Sequence, residues 1–405
     1  MARTLDTDVE FVPDFDADES NTPVTASEVS QAVVSSTDWT TQTILVQLVQ
    51  GNITLNPRFQ RRDAWTRPRK SRFVESLMLG LPVPQIVLAE RQESRGKYIV
   101  LDGKQRLLSL LQFMGKSEGK NNAFSLRGLE IRTDLENRRY SDLEEDIQLR
   151  DDLDAFHNQT IRSVVIRHWP NINFLHTVFR RLNTGSVSLS PQELRQALFP
   201  GDFSNFVDSA AADSEPLKKL LRISEPDFRM RDVELLVRFL AFSFFLEDYA
   251  GNLKVFLDSA CGEMNRLWEQ NELVIQSQVA SFNKALLAGE SIFGVNNVGR
   301  KWNAGEFQSR LNRAVLDVII YYFAQEPIRD AALKVKDRVC DAFKQLCETD
   351  DVFMTSIEAT TKSLTATYER LRRWGVALQS VIDVPISLPE FADNRIHVAQ
   401  HVKLA

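Results

Sequence analysis

Residues 98–106, Tyr-Ile-Val-Leu-Asp-Gly-Lys-Gln-Arg, carry the densest chemistry in the chain. A β-branched run ends at Asp102-Gly103, and a helix-type run follows whose first turn holds Lys104, Gln105 and Arg106. Free backbone N–H groups at a helix start, together with the helix dipole, attract an anion. A glycine at that point lets a ligand approach the main chain. Lys104 and Arg106 suit phosphate oxygens. Asp102 can cap the helix or hold a divalent metal. Gln105 can orient a water, read a base or pair with backbone. Taken alone, the same residues also make an ordinary Asp-capped turn. The Walker A spacing is absent.

Two further stretches invite a chemical reading. Between Arg58 and Arg72 there are seven bases and one acid, Asp63, around Gln60-Arg61 and Trp65. Clustered guanidiniums donate paired hydrogen bonds to phosphate, and Phe59 and Trp65 offer surface for stacking a base. The plainer alternative is a solvated basic helix face with the two aromatics anchored in a core. The other stretch runs from Val178 to Arg195 and contains Arg180-Arg181-Leu182-Asn183-Thr184-Gly185, then Ser190-Pro191-Gln192-Glu193. Asn-Thr-Gly is a helix stop. Ser-Pro-Gln-Glu is a helix start, with Ser as N-cap, Pro in the first turn and Glu at the third position. Helix–loop–helix explains the spacing but not two arginines and an asparagine at the stop.

The elements that must position these residues follow from periodicity. Thr40–Gln50 reads as an amphipathic helix stopped by Gly51-Asn52, and Ile53–Leu55 as a short strand. Arg67–Leu79 reads as a helix. Two prolines in the segment 80–90 forbid helix and precede a strand at Ile86–Ala89. A turn at Glu93–Gly96 leads to a strand at Lys97–Leu101, then a helix at Lys104–Met114, and a further strand covers Thr160–Arg167. From residue 171 to about 380 the pattern is almost wholly helical. The expected class is α+β, with an N-terminal domain over 37–185 and an α-helical domain over 186–385. A disordered acidic leader over 1–36 and a C-terminal tail over 386–405 flank them.

Charge supports the separate leader. Residues 1–36 hold eight acids and one base, a balance of −7, whereas the whole chain stands at −6. The remainder is therefore nearly neutral. A solvated tail and a nucleic-acid mimic lying in a basic groove both fit this leader. A body without net positive charge argues against strong general DNA affinity. With 405 residues and 43% hydrophobic residues the chain can bury a sizeable core. Three cysteines and no C-x-x-C pair exclude a disulfide framework and a cysteine-based zinc ribbon. No apolar run reaches membrane-spanning length and no signal pattern opens the chain, so a cytoplasmic protein is expected.

In this order, the motifs resemble the N-terminal domain of GmrSD-type restriction endonucleases, domain-of-unknown-function family 262. The matches are Gln60-Arg61 with Trp65, Val74-Glu75-Ser76 through Gly80-Leu81-Pro82-Val83-Pro84, and Asp102 to Arg106. Phe179 to Gly185 and Leu189 to Arg195 complete the set, and Arg231-Asp232 through Leu240 is similar to the family's helical part. Departures are Val74 for isoleucine and Lys104 where glutamine is commoner. The resemblance implies a ParB/sulfiredoxin-like α+β fold that binds nucleotide phosphates, followed by helices, in restriction or anti-phage systems acting on DNA. Many members carry a His-containing nuclease domain. The five histidines here, among them His397 and His401, lack that pattern.

Under this resemblance three functions are open. The first is an NTPase that gates a DNA-directed activity, with an NTP and Mg²⁺ as cofactors. Nucleotide contacts would come from Gln60, Arg61, Gly103, Lys104, Gln105, Arg106, Arg181 and Asn183. Arg61 would clamp the transferring phosphoryl charge, Gln105 would orient, and Asp102 would hold the metal. The second is a nuclease that sets Glu75 and Asp102 around a metal in the same pocket. The third is a DNA or nucleotide sensor whose nuclease is a partner chain.

Overall fold

The computed structural model describes residues 10–11, 25–55, 64–116, 123–182, 190–359, 361–399 and 404. The chain forms two compact units, one of Asn21–Leu198 with Phe228–Met230 and one built on Phe199–Asp227 and Arg231–Ala405.

The first unit is organised by a mixed five-stranded sheet. Its strands are β1 (Val33–Thr40), β2 (Ile53–Thr54), β3 (Ile86–Arg91), β4 (Ser94–Asp102) and β5 (Thr160–Arg167), in the order β1-β5-β3-β4-β2. β1/β5 and β3/β4 are antiparallel; β3/β5 and β2/β4 are parallel. Alternation along the strands splits the core in two. Ile86, Leu88, Tyr98, Val100, Ile161 and Val165 face a layer of helices α2 (Thr41–Val49), α3 (Arg67–Met78), α4 (Lys104–Phe113), α5 (Tyr140–Glu145) and α6 (Arg150–Asn158). Val87, Ala89, Ile99, Leu101 and Ile166 face α7 (Ile172–Leu182) and α8 (Pro191–Leu198). Strands covered on both faces read as continuous apolar runs, as Ile86–Ala89 and Tyr98–Leu101 do.

Helix boundaries follow the capping chemistry. Thr40 caps α2 by accepting from Thr43 N at 3.1 Å. Pro68 sits in the first turn of α3, where its missing N–H costs nothing. At the start of α8, Ser190 N donates to Glu193 Oε2 at 2.6 Å and Glu193 N donates to Ser190 Oγ at 3.1 Å, the reciprocal box expected from Ser-Pro-Gln-Glu. The sheet unit continues through α8, past residue 185 where the sequence pattern places its end.

The acidic leader is folded from Thr25, contrary to the expected disorder over 1–36. Thr25 and Glu28 form a capping box for α1 (Ala26–Gln31), and β1 pairs along its whole length with β5. The Val33-Val34-Ser35-Ser36 run gave no alternating signal because β1 lies at a sheet edge and is mostly exposed.

The second unit is helical. Its helices are α9 (Asp202–Asp213), α10 (Glu215–Leu221), α11 (Arg231–Phe245), α12 (Leu253–Arg266), α13 (Trp268–Phe293), α14 (Arg313–Phe323), α15 (Glu326–Lys334), α16 (Lys336–Thr349), α17 (Asp351–Glu358) and α18 (Leu364–Gln379). Val233, Leu236, Val237 and Leu240 are all fully buried, as their helical spacing requires. α11 and α14 also join through ion pairs, Arg238 Nη2 with Asp317 Oδ2 at 2.5 Å and Arg313 Nε with Glu234 Oε1 at 3.2 Å. Two small hairpins interrupt the helical pattern: β6 (Trp302–Asn303) with β7 (Glu306–Phe307), and β8 (Glu390–Ala392) with β9 (Arg395–His397). The expected C-terminal tail is therefore a packed hairpin. Asp393 and Asn394 turn it with φ of 52° and 56°, a conformation these two residue types tolerate, and Ile396 is buried. None of the described helices is long and apolar enough to cross a membrane.

Candidate functional site

The Asp-Gly-Lys-Gln-Arg turn lies at the end of β4, an interior strand, and opens α4. Gly103 has φ +96°, and a Cβ there would lie 2.6 Å from Ile86 Cγ2, so both the backbone and the space demand glycine. Asp102 does not cap α4; the N-cap position is Gly103 and carries no side-chain bond. Asp102 Oδ2 instead accepts from Arg106 Nη2 at 2.9 Å, and the same nitrogen donates to Gln85 O at 2.8 Å. Among the described residues, Asp102 Oδ1 accepts no hydrogen bond.

Arg106 is buried, with 6% of its surface exposed. Its fork fastens β4 to the segment leading into β3. The Nε–H is also buried, and among the described residues no partner accepts from it. Beside it in sequence, Gln105 Oε1 is buried without a donor. An unpaired buried N–H or oxygen ordinarily costs about 1–3 kcal/mol. Finding one of each on adjacent residues at a helix start marks a place where a ligand offering both an acceptor and a donor gains disproportionately.

Lys104 faces away from this corner. It is buried, and its Nζ lies 2.5 Å from Glu193 Oε1, with both side chains almost wholly shielded. Glu193 is the capping-box glutamate of α8, so one carboxylate closes the helix start with one oxygen and neutralises Lys104 with the other. The ion pair joins two segments that sequence reading treats as separate motifs. It also changes the electrostatics of the turn, because Asp102 and Glu193 balance Lys104 and Arg106. The sequence carries the signal for Glu193 as a helix start, but nothing in its spacing reveals the 89-residue separation from its lysine partner.

Glu75, expected beside Asp102 at a metal, is occupied elsewhere. Its Oε1 accepts from Ile131 N at 2.8 Å and Arg132 N at 2.7 Å, and its Oε2 from Glu130 N at 3.2 Å. Burial alone would raise its pKa. The three backbone donors, with Arg72 nearby, outweigh that and hold the carboxyl below its ordinary value. A carboxylate filled by three donors is a clamp on the loop over 130–132, not an open metal ligand.

The basic stretch resolves in the same direction where it is described. Arg67 Nε donates to Ser125 O at 2.8 Å, Arg72 pairs with Glu130 at 2.7 Å, and Lys70 is buried against Phe124. Arg69 stacks on Trp65 at 4.7 Å, and Trp65 meets Phe73 edge-on at 5.8 Å. Trp65 is thus a partly buried core anchor rather than a bare stacking platform. Gln60, Arg61, Arg58 and Arg62 lie outside the described residues, as does Asn183. Arg181 ends α7 with its side chain exposed. Of the expected site, the structure therefore brings together Asp102, Gly103, Gln105 and Arg106, turns Lys104 to Glu193 and assigns Glu75 to a loop.

A mixed five-stranded sheet with helices on both faces defines an α+β domain. Residues 45–200 match the family model described as GmrSD restriction endonuclease, N-terminal domain. The match begins within α2 and ends just beyond α8, taking in the sheet from β2 onward and both of its helical layers. No curated protein and no solved structure matches the chain.

Proposed function

We propose that the sheet unit is a ParB/sulfiredoxin-like nucleotide-binding domain that hydrolyses an NTP within a restriction or anti-phage system acting on DNA. The match to the GmrSD N-terminal domain supports the restriction context. The observation that carries the nucleotide reading is the unsatisfied pair at the helix start, Arg106 Nε–H and Gln105 Oε1. A nucleotide supplies both complements, phosphate oxygens for the guanidinium and a ribose or base donor for the amide.

The residues divide into three roles. Gly103 leaves the backbone open at the N-terminus of α4, and Arg106 donates to phosphate while keeping Asp102 in place. Gln105, with Gln60, orients the ligand. Arg61 would clamp the transferring phosphoryl charge, and Arg181 and Asn183 would close the pocket. Lys104 acts through Glu193, positioning the turn against α8 rather than touching phosphate. Because the described charges of the turn balance, net attraction for a polyanion would come from Arg61 and Arg181.

The donor set suits Mg²⁺, which takes one or two carboxylates together with substrate phosphates and water. Asp102 would hold it through Oδ1 without surrendering its bond to Arg106. Bound there, the cation would neutralise developing charge on the phosphates. Asp102→Asn tests this assignment. With each NTP and Mg²⁺, hydrolysis by the variant is expected to fall at least about 100-fold while nucleotide affinity changes less than about 5-fold. Equal loss of both would mean that Asp102 only braces Arg106.

A further inference from the structure

Glu10 and Phe11 of the acidic leader are docked on the helical unit. Leu311 N donates to Glu10 O at 2.8 Å, and a single parallel bridge pairs Phe11 with Leu311. The Glu10 carboxylate accepts from Arg310 Nε at 2.9 Å. The Arg313 guanidinium lies over the Phe11 ring, 4.2 Å from its centroid, and that of Arg231 stands at 5.5 Å. These two arginines are held by acids of the unit itself. Arg231 Nε donates to Asp227 at 2.8 Å, and Arg313 pairs with Glu234. The two guanidiniums are thus held by acids of the unit, and the leader brings a carboxylate to Arg310 and a ring to Arg313, besides its backbone bridge to Leu311.

One anionic oxygen on one guanidinium and one aromatic ring stacked on another is the contact pattern of a nucleotide in a single strand, phosphate on arginine and base on arginine. We propose that Arg231, Arg310 and Arg313 form a site for one nucleotide unit of single-stranded nucleic acid, and that Glu10 and Phe11 occupy it in cis. The charge distribution fits, since residues 1–36, which supply Glu10 and Phe11, carry −7 on a chain whose total is −6. The leader acts as an internal competitor, so only molecules with the strap released bind a strand, and the apparent affinity is reduced by that fraction. This site stands apart from the nucleotide reading of the Asp-Gly-Lys-Gln-Arg turn and does not depend on it.

An exposed ion pair and a cation–π contact together favour the docked strap by roughly 5- to 30-fold. The test is fluorescence anisotropy of a labelled oligothymidylate with the full chain at low salt. The double variant Glu10→Gln/Phe11→Ala is expected to bind about 5- to 30-fold more tightly than wild type. Adding Arg310→Ala and Arg313→Ala should abolish that gain, whereas adding Arg106→Lys should leave it intact, which separates this site from the turn. Unchanged affinity in the double variant, even with a lowered melting temperature, would make the strap purely structural and overturn the proposal. So would a gain that survives loss of both arginines, or an equal gain for duplex DNA, where no base is free to stack.

Discussion

Lys104→Met is expected to destabilise the sheet unit by about 3–5 kcal/mol, because it strands Glu193 as a buried charge without its cation. Glu193 is further committed to Ser190 N, so it cannot rotate out to water without opening the start of α8. The informative companion is Lys104→Met with Glu193→Gln. The amide keeps a capping acceptor and removes the uncompensated charge, and at least half of the lost stability should return in denaturant unfolding. If Lys104 instead served phosphate, the single variant would lose nucleotide binding with little change in unfolding midpoint, and the double variant would recover nothing. Stability and ligand affinity measured on the same two proteins distinguish these outcomes.

The second large effect belongs to Glu75. Glu75→Gln weakens three backbone contacts at once and is expected to cost about 1–3 kcal/mol near neutral pH. Its pH signature identifies the cause. A carboxyl whose folded pKa is depressed contributes stability that is fully present above its unfolded value, about 4.3, and that disappears as pH falls through the lower folded value. Wild type should therefore lose stability between about pH 5 and pH 3 more steeply than Glu75→Gln, so that the two converge in acid. Parallel curves would mean that the carboxylate charge is not what holds the loop.

The sequence reveals elements more readily than partners. β5 is found at its observed limits because Thr-Ile-Arg-Ser-Val-Val-Ile-Arg is β-branched and bounded by breakers. α8 is legible because Ser190 and Glu193 cap each other locally. β1 is missed because an exposed edge strand needs no apolar alternation, and its stability comes from its ladder with β5, more than a hundred residues away. The same distance hides the site's wiring. Residue type nominates Asp102, Gly103, Gln105 and Arg106, which the fold holds together at one strand end. It also nominates Lys104 and Glu75, whose charges are satisfied by Glu193 and by backbone N–H groups that only the fold brings near. A basic residue at a helix start and an acid in a helix look alike in sequence whether they await a ligand or have already found a partner. The need for glycine at 103, by contrast, is fixed by its left-handed backbone and by the nearness of Ile86, and the Asp-Gly pattern signals it.

The most direct test of the nucleotide reading is calorimetric titration of each Mg²⁺–NTP into wild type and Arg106→Lys. Lysine keeps the charge and can still reach Asp102, so the turn keeps most of its brace, but it has no Nε–H to fill the unsatisfied position. Wild type is expected to bind at least one NTP, and Arg106→Lys to bind it at least about 10-fold more weakly with a melting temperature within a few degrees of wild type. No heat of binding from any NTP, or equal affinity in the two proteins, would contradict the account.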